Sequence, residues 1–189
     1  MKKMRSFIFA SLCVLFTMGF SQTKFEKEYR ISEQFVPKTA LAFIQESGLA
    51  LPVKWYVEQS QEGKSYEAKT TDKKHRFSIE FSQEGRILDI EKKVRLTELG
   101  AQQVTIITST LIERFKKFKI KKIQAHWSGS EDELLKILQK GGPLEQTTHY
   151  EIVLRSKTDK EHYEVLLSKE GEFSSVLRIL TGNFDNLEY

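Results

Sequence analysis

The sequence predicts an α+β chain made of two helix-plus-antiparallel-sheet units. Three observations carry that prediction. Phe77-Ser78-Ile79-Glu80-Phe81 alternates apolar and polar residues and runs into Ser82-Gln83-Glu84-Gly85. Tyr163 to Gly171 repeats the pattern at a constant offset of 86 residues, as expected when one structural unit is used twice. A helical apolar stripe precedes each set of strands.

In the first unit, Pro37 suits a first helical turn, where its missing N–H costs nothing. Ala40, Leu41, Phe43 and Ile44 form the apolar stripe, and Gly48 ends it. A strand over Pro52 to Gln59 puts Val53, Trp55 and Val57 on one face. Glu62-Gly63-Lys64 turns into a second strand through Tyr66 and Ala68, and Asp72-Lys73-Lys74 turns into Arg76–Ser82. Gly85 turns once more into Ile87–Val94. One helix and four closely connected strands make a meander with a helix on one face.

The second unit opens near Thr97. Val104, Ile107, Leu111, Phe115 and Phe118 are spaced three, four, four and three apart, which predicts a helix despite the β-branched run Val104 to Thr108. Ile123, Ala125 and Trp127 then correspond to the strand around Trp55, and Tyr150-Glu151-Ile152 to Tyr66-Glu67-Ala68. The Trp-to-Trp offset is 72 but the Tyr-to-Tyr offset is 84, so the second unit holds an insertion near 128–142. Ser130-Glu131-Asp132-Glu133 is a capping box ahead of Leu134, Leu135, Ile137 and Leu138, and Gly141-Gly142-Pro143 stops the short helix this predicts.

The ends and the charge balance set the compartment. Lys2, Lys3 and Arg5 precede an apolar run, Phe7 to Phe20, and Gly19-Phe20-Ser21 is a small-x-small site. Residues 1–21 therefore read as a signal peptide cleaved before Gln22, and the protein as exported, periplasmic or secreted. The run is short for a bilayer span, so no stable membrane insertion is expected after cleavage. Cleavage leaves 27 Lys+Arg against 26 Asp+Glu, a net charge of +1, and removes Cys13, the single cysteine. A nearly neutral chain gives no footprint for nucleic acid, and no disulfide supports the fold. Residues 22–35 read as a flexible lead-in, 36–95 as the first unit, 96–182 as the second and 183–189 as a tail.

Val36-Pro37-Lys38, Val53-Lys54-Trp55, Tyr66-Glu67-Ala68 and the strand Phe77–Gly85, in that order behind a cleavable signal, resemble the secreted PepSY-like family. That family is similar in architecture to β-lactamase-inhibitor protein. The resemblance implies two helix-plus-sheet repeats in one long antiparallel sheet with an open face, and relatives that bind or inhibit other proteins. Its motifs are core and turn positions, so they describe a scaffold; the insertion departs from the pattern.

Signatures of chemistry are sparse. His75, His126, His149 and His162 show no metal-ligand spacing, and no Gly-x-Ser-x-Gly elbow or phosphate loop occurs. Neither a metal nor a cofactor is expected. Arg114 to Lys122 holds six basic residues in nine, which reads as a helix C-terminus running into a solvated strand, with a docking patch for an anionic partner such as a polysaccharide or acidic protein as the alternative. Trp55, Tyr66, Phe81, Phe115, Trp127 and Tyr150 fall on inward phases and read as core.

Strand parity leaves Tyr56, Ser78 and Glu80 on the face away from the helices. It places Val153 and Leu166 there too, among Glu151, Arg155, Glu164 and Ser168. These five are the candidate partner-facing residues, with the inserted Leu134/Leu135/Ile137/Leu138 stripe expected to fold over Val153 or Leu166 as a lid. The function expected is a non-enzymatic binding module, inhibitor-like, for another envelope or secreted protein. The alternative is an envelope hydrolase or metal-binding protein.

Overall fold

The computed structural model describes residues 22–24, 26–49, 52–60, 63–72 and 75–179; residues 1–21, expected to be a signal peptide, and 183–189, expected to be a tail, lie outside them. The fold is α+β. Nine strands form one antiparallel sheet in chain order: β2 (Glu26–Ile31), β3 (Lys54–Ser60), β4 (Gly63–Asp72), β5 (His75–Phe81), β6 (Ile87–Lys93), β7 (Phe118–Ser128), β8 (His149–Ser156), β9 (His162–Ser168) and β10 (Phe173–Ile179). A three-residue strand, β1 (Gln22–Lys24), adds parallel to β10. Helices α1 (Lys38–Glu46), α2 (Ala101–Phe115) and α3 (Glu131–Gln139) complete the described elements.

The helices lie on one sheet face, because that face carries the apolar phase of each strand. Trp55, Ala68, Ile79, Phe81, Ile90, Ala125, Trp127, Ile152, Val165 and Leu167 are buried there. Phe43 and Ile44 of α1 and Ile107, Leu111 and Phe115 of α2 are buried against them. The Phe43 and Phe81 rings meet edge to face at 5.7 Å, and Phe115 packs on Tyr163 at 5.1 Å. The six aromatic residues expected in the core are all buried.

The two corner turns show the same geometry. Ser82 and Ser168 take the N–H of Arg86 and Glu172 on their hydroxyls, and Gly85 and Gly171 both have positive φ. A Cβ on Gly85 would lie 2.2 Å from Thr39 Oγ1 of α1. One on Gly171 would lie 2.7 Å from Ile106 Cγ2 of α2. Each glycine lets its turn press against a helix, α1 for Gly85 and α2 for Gly171.

Three expectations are corrected. The lead-in is ordered as strand β2, because cross-strand partners supply what its own sequence lacks. Ile31 packs on the core and Lys69 Nζ holds Glu28 at 2.7 Å. The α2 stripe stops at Phe115; Lys116 takes φ 58° and Phe118 begins β7. The third concerns the insertion. Its capping box forms, with Ser130 N–H donating to Glu133 Oε2 at 2.9 Å, but α3 lies on the core face and covers neither Val153 nor Leu166. Leu134, Ile137 and Leu138 are buried in the common core. Lys92, on an inward phase of β6, donates Nζ to the Gly141 and Gly142 carbonyls at 2.9 and 3.0 Å, which fixes the end of α3 over β6.

Lys24 pairs with Ile179 on one edge strand and Glu26 pairs with Ser60, toward the other edge. Two residues span at most ~7 Å. The two edges therefore approach each other at that corner, and the sheet must coil strongly.

Candidate functional site

The face opposite the helices carries no described helix, yet many of its side chains are buried. Glu164, Gln124 and Val153 expose less than a tenth of their surface, which requires that outward side chains converge in a hollow. Register sets four transverse rows. Arg30, Tyr56, Glu67, Glu80 and Asp89 form the first, and Lys54, Lys69, Ser78, Glu91, His126 and His149 the second. Lys93, Gln124, Glu151 and Leu166 make the third, and Lys122, Val153, Glu164 and Leu177 the fourth.

Two charge networks organise the face. On β4, Lys69 Nζ lies 3.0 Å from Glu67 and 2.7 Å from Glu28, and 4.8 Å above the Tyr56 ring. Burial pushes the Glu67 carboxyl up against the opposing pull of Lys69 and Ser78. Burial also works against the Lys69 charge, but Glu67 and Glu28 outweigh it and raise the ammonium pKa.

The second network centres on Lys122, whose Nζ is 3.2 Å from Glu151 Oε1 with only 16% of its side chain exposed. Burial again opposes the charge, and Glu151, Glu91 and Glu164 together outweigh it. Glu91 accepts a hydrogen bond from Gln124 Nε2. Burial, and then the neighbouring Glu151 carboxylate, hold Glu91 well above the usual carboxylate range despite Lys122. Lys122 therefore leaves the solvated basic run in which the sequence places it.

A third group lies beside these. His126 Nε2 is 3.7 Å from Asp89, and its ring meets His149 edge-on at 5.8 Å. Burial disfavours the His126 charge but Asp89 prevails and raises its pKa, while burial and then His126 lower that of His149. Among the described residues, no group of three His, Cys, Asp or Glu side chains is placed to hold a metal.

A groove of about 350 Å³ opens between β3 and β7. Lys54, Lys69, Arg76, Lys93 and Lys122 line it with Glu67, Glu91, Tyr56, Ser78, Phe77 and Gln124. Five cations face two carboxylates whose affinity for a proton is raised. The site is built to hold charge and offer hydrogen bonds.

Of the residues singled out from sequence, Tyr56 and Ser78 come together in this groove, and Glu80 is half-buried on the same face. Val153 and Leu166 lie farther along, on β8 and β9. Val153 is 1% exposed, enclosed between Lys122 and Glu164 on its neighbouring strands, so it is not partner-facing; Leu166 is half-buried opposite Glu151. Glu91, Lys122, Gln124 and the His126–His149 pair were not singled out. The signal for three of them is the alternation Lys122-x-Gln124-x-His126, out of phase with Ile123, Ala125 and Trp127 and hidden by the lysine run before it.

No family model and no curated protein matches the chain. Solved structures do. A candidate periplasmic protein of Bacteroides eggerthii aligns with TM-score 0.55 at 10% identity, over 81% of this chain and 95% of its own. A DUF2874 family protein of Bacteroides uniformis aligns with TM-score 0.53 at 9% identity, over 76% and 90%. A protein named BLIP-like from Bacteroides fragilis aligns with TM-score 0.49 at 10% identity, over 76% and 86%, too loosely for any weight to rest on it. At these identities the first two show a shared fold.

Proposed function

We propose that the chain is an exported, non-enzymatic protein-binding module that engages its partner through the polar, coiled face of the sheet. The observation that carries this reading is the groove between β3 and β7, with its ordered charge networks on a face that no described helix covers. Fixed charges of this kind set partner choice and orientation. Export is supported by the basic and apolar start of the sequence, and by the candidate periplasmic protein that shares the fold. A duplicated PepSY-like unit is supported by an element order in which a helix and four strands occur twice, and by the matching turns at Gly85 and Gly171. An inhibitor-like role belongs to the same reading.

The test is capture from cell envelope with the mature protein, beside Glu80→Lys on the proposed face and Ile112→Lys on the exposed side of α2, where Ile112 is 53% exposed. The reading expects a partner retained by Ile112→Lys and lost with Glu80→Lys. Loss with Ile112→Lys alone would move the interface to the helices.

A further inference from the structure

We propose that the groove between β3 and β7 binds a carboxylate-bearing peptide segment of the partner, entering over Lys54 and Arg76. This deepens the binding-face reading and rests on it.

Charge comes first. Cations outnumber carboxylates in the lining. Lys69 and Lys122 are engaged by glutamates deeper in the face. Lys54 and Arg76 are exposed at the entrance and form no ion pair with any described residue. An incoming carboxylate therefore meets two cations without breaking a described ion pair, and an Arg fork matches a carboxylate in geometry.

Hydrogen bonding is a second and independent observation. Gln124 is 6% exposed and lines the groove; its amide N–H₂ goes to Glu91, while its Oε1 is buried with no partner. A buried acceptor without a donor is costly, so a ligand N–H or O–H that reaches it once the amide turns toward the groove stabilises the bound state. A small inorganic anion meets the cations but carries no amide N–H. A peptide carries carboxylates and amide N–H groups together and satisfies both. Tyr56 adds an aromatic wall to a volume at the small end of ligand sites, suited to a few residues rather than a whole domain.

The experiment is calorimetric titration of the mature full chain with three probes at low and at physiological salt. These are the acetylated, amidated peptide Glu-Asp-Glu-Asp, its Gln-Asn-Gln-Asn counterpart, and inorganic phosphate. Saturable binding of the acidic peptide is expected, with both other probes weaker by about tenfold or more and affinity falling as salt rises. The double variant Lys54→Ser/Arg76→Ser, at exposed positions and with unchanged circular dichroism, should lose about tenfold. Three results would each overturn the proposal: no saturable binding of the acidic peptide, equal affinity for its amide counterpart or phosphate, or full affinity in the double variant. If any of these appears while partner capture is still lost with Glu80→Lys, the binding face survives and only the acidic ligand is wrong. If capture is indifferent to Glu80→Lys, both readings fall.

Discussion

Replacing Lys122 by Met isolates the energetics of the polar face. The Lys122–Glu151 pair is separated by 3.2 Å, with 16% and 15% of the two side chains exposed. At an effective dielectric of ~20, two unit charges that close attract by ~5 kcal/mol. Desolvation offsets much of this in the intact pair, but removing one partner strands the other. The expected loss is therefore about 3–5 kcal/mol at pH 8. For a chain of this size that lowers Tm by roughly 6–20 °C.

The pH dependence has a definite sign. Without the cation that opposes it, the buried Glu91 carboxyl holds its proton to still higher pH in the folded protein than in the unfolded one. Stability then falls as pH rises above the ordinary carboxylate range. The raised ammonium pKa of Lys122 contributes stability that is fully present below its unfolded value, so its loss is the same at pH 5 and pH 8 and the difference between them comes from the carboxyls. Urea melts at pH 5 and pH 8 should show the larger deficit at pH 8, and Glu151→Gln in the Lys122→Met background should recover part of it. A deficit under about 1 kcal/mol at pH 8, or the same at both pH values, would refute the buried-network account.

Further outcomes follow from other parts of the fold. Glu91→Gln should lie progressively above the wild type in urea midpoint as pH rises from 4 to 8. The buried carboxyl binds its proton more tightly folded than unfolded, and an amide does not. Gly85→Ala should cost about 1–3 kcal/mol, from positive φ plus a Cβ against Thr39 and Pro37. Gly48→Ala, at φ 70° in open space, should cost only the ~1 kcal/mol of the left-handed backbone; equal losses would show that the close approach of the turn to α1 is unimportant. Leu134→Ala should lower stability by about 2–5 kcal/mol in denaturant melts, because α3 is part of the core. A helix resting as a lid on the polar face would lose far less.

The scaffold was legible because its signals are local and periodic. The alternation through Phe77, Ile79 and Phe81, the stripe of Ile107, Leu111 and Phe115, and the Ser130/Glu133 cap each fix an element within a few residues. What escaped depends on which strand lies beside which. β2 reads as a charged, aperiodic stretch until Lys69, 41 residues away, meets Glu28. Lys92 reads as a misplaced charge until α3 presents two carbonyls to it. Tyr56 and Ser78 could be placed by parity alone. Glu91 and Gln124 become a site only through the β6–β7 and β7–β8 registers, which no single segment encodes. Val153 shows the limit of parity: the phase was right, but the curl of the sheet buries a side chain that a flat sheet would expose.

The most direct measurement of the central claim is photo-crosslinking in the cell envelope, with a benzophenone side chain at position 80 on the polar face or at position 112 on α2. The account predicts a discrete adduct with a second protein from position 80 and none from position 112. An adduct from position 112 with none from position 80 would contradict it.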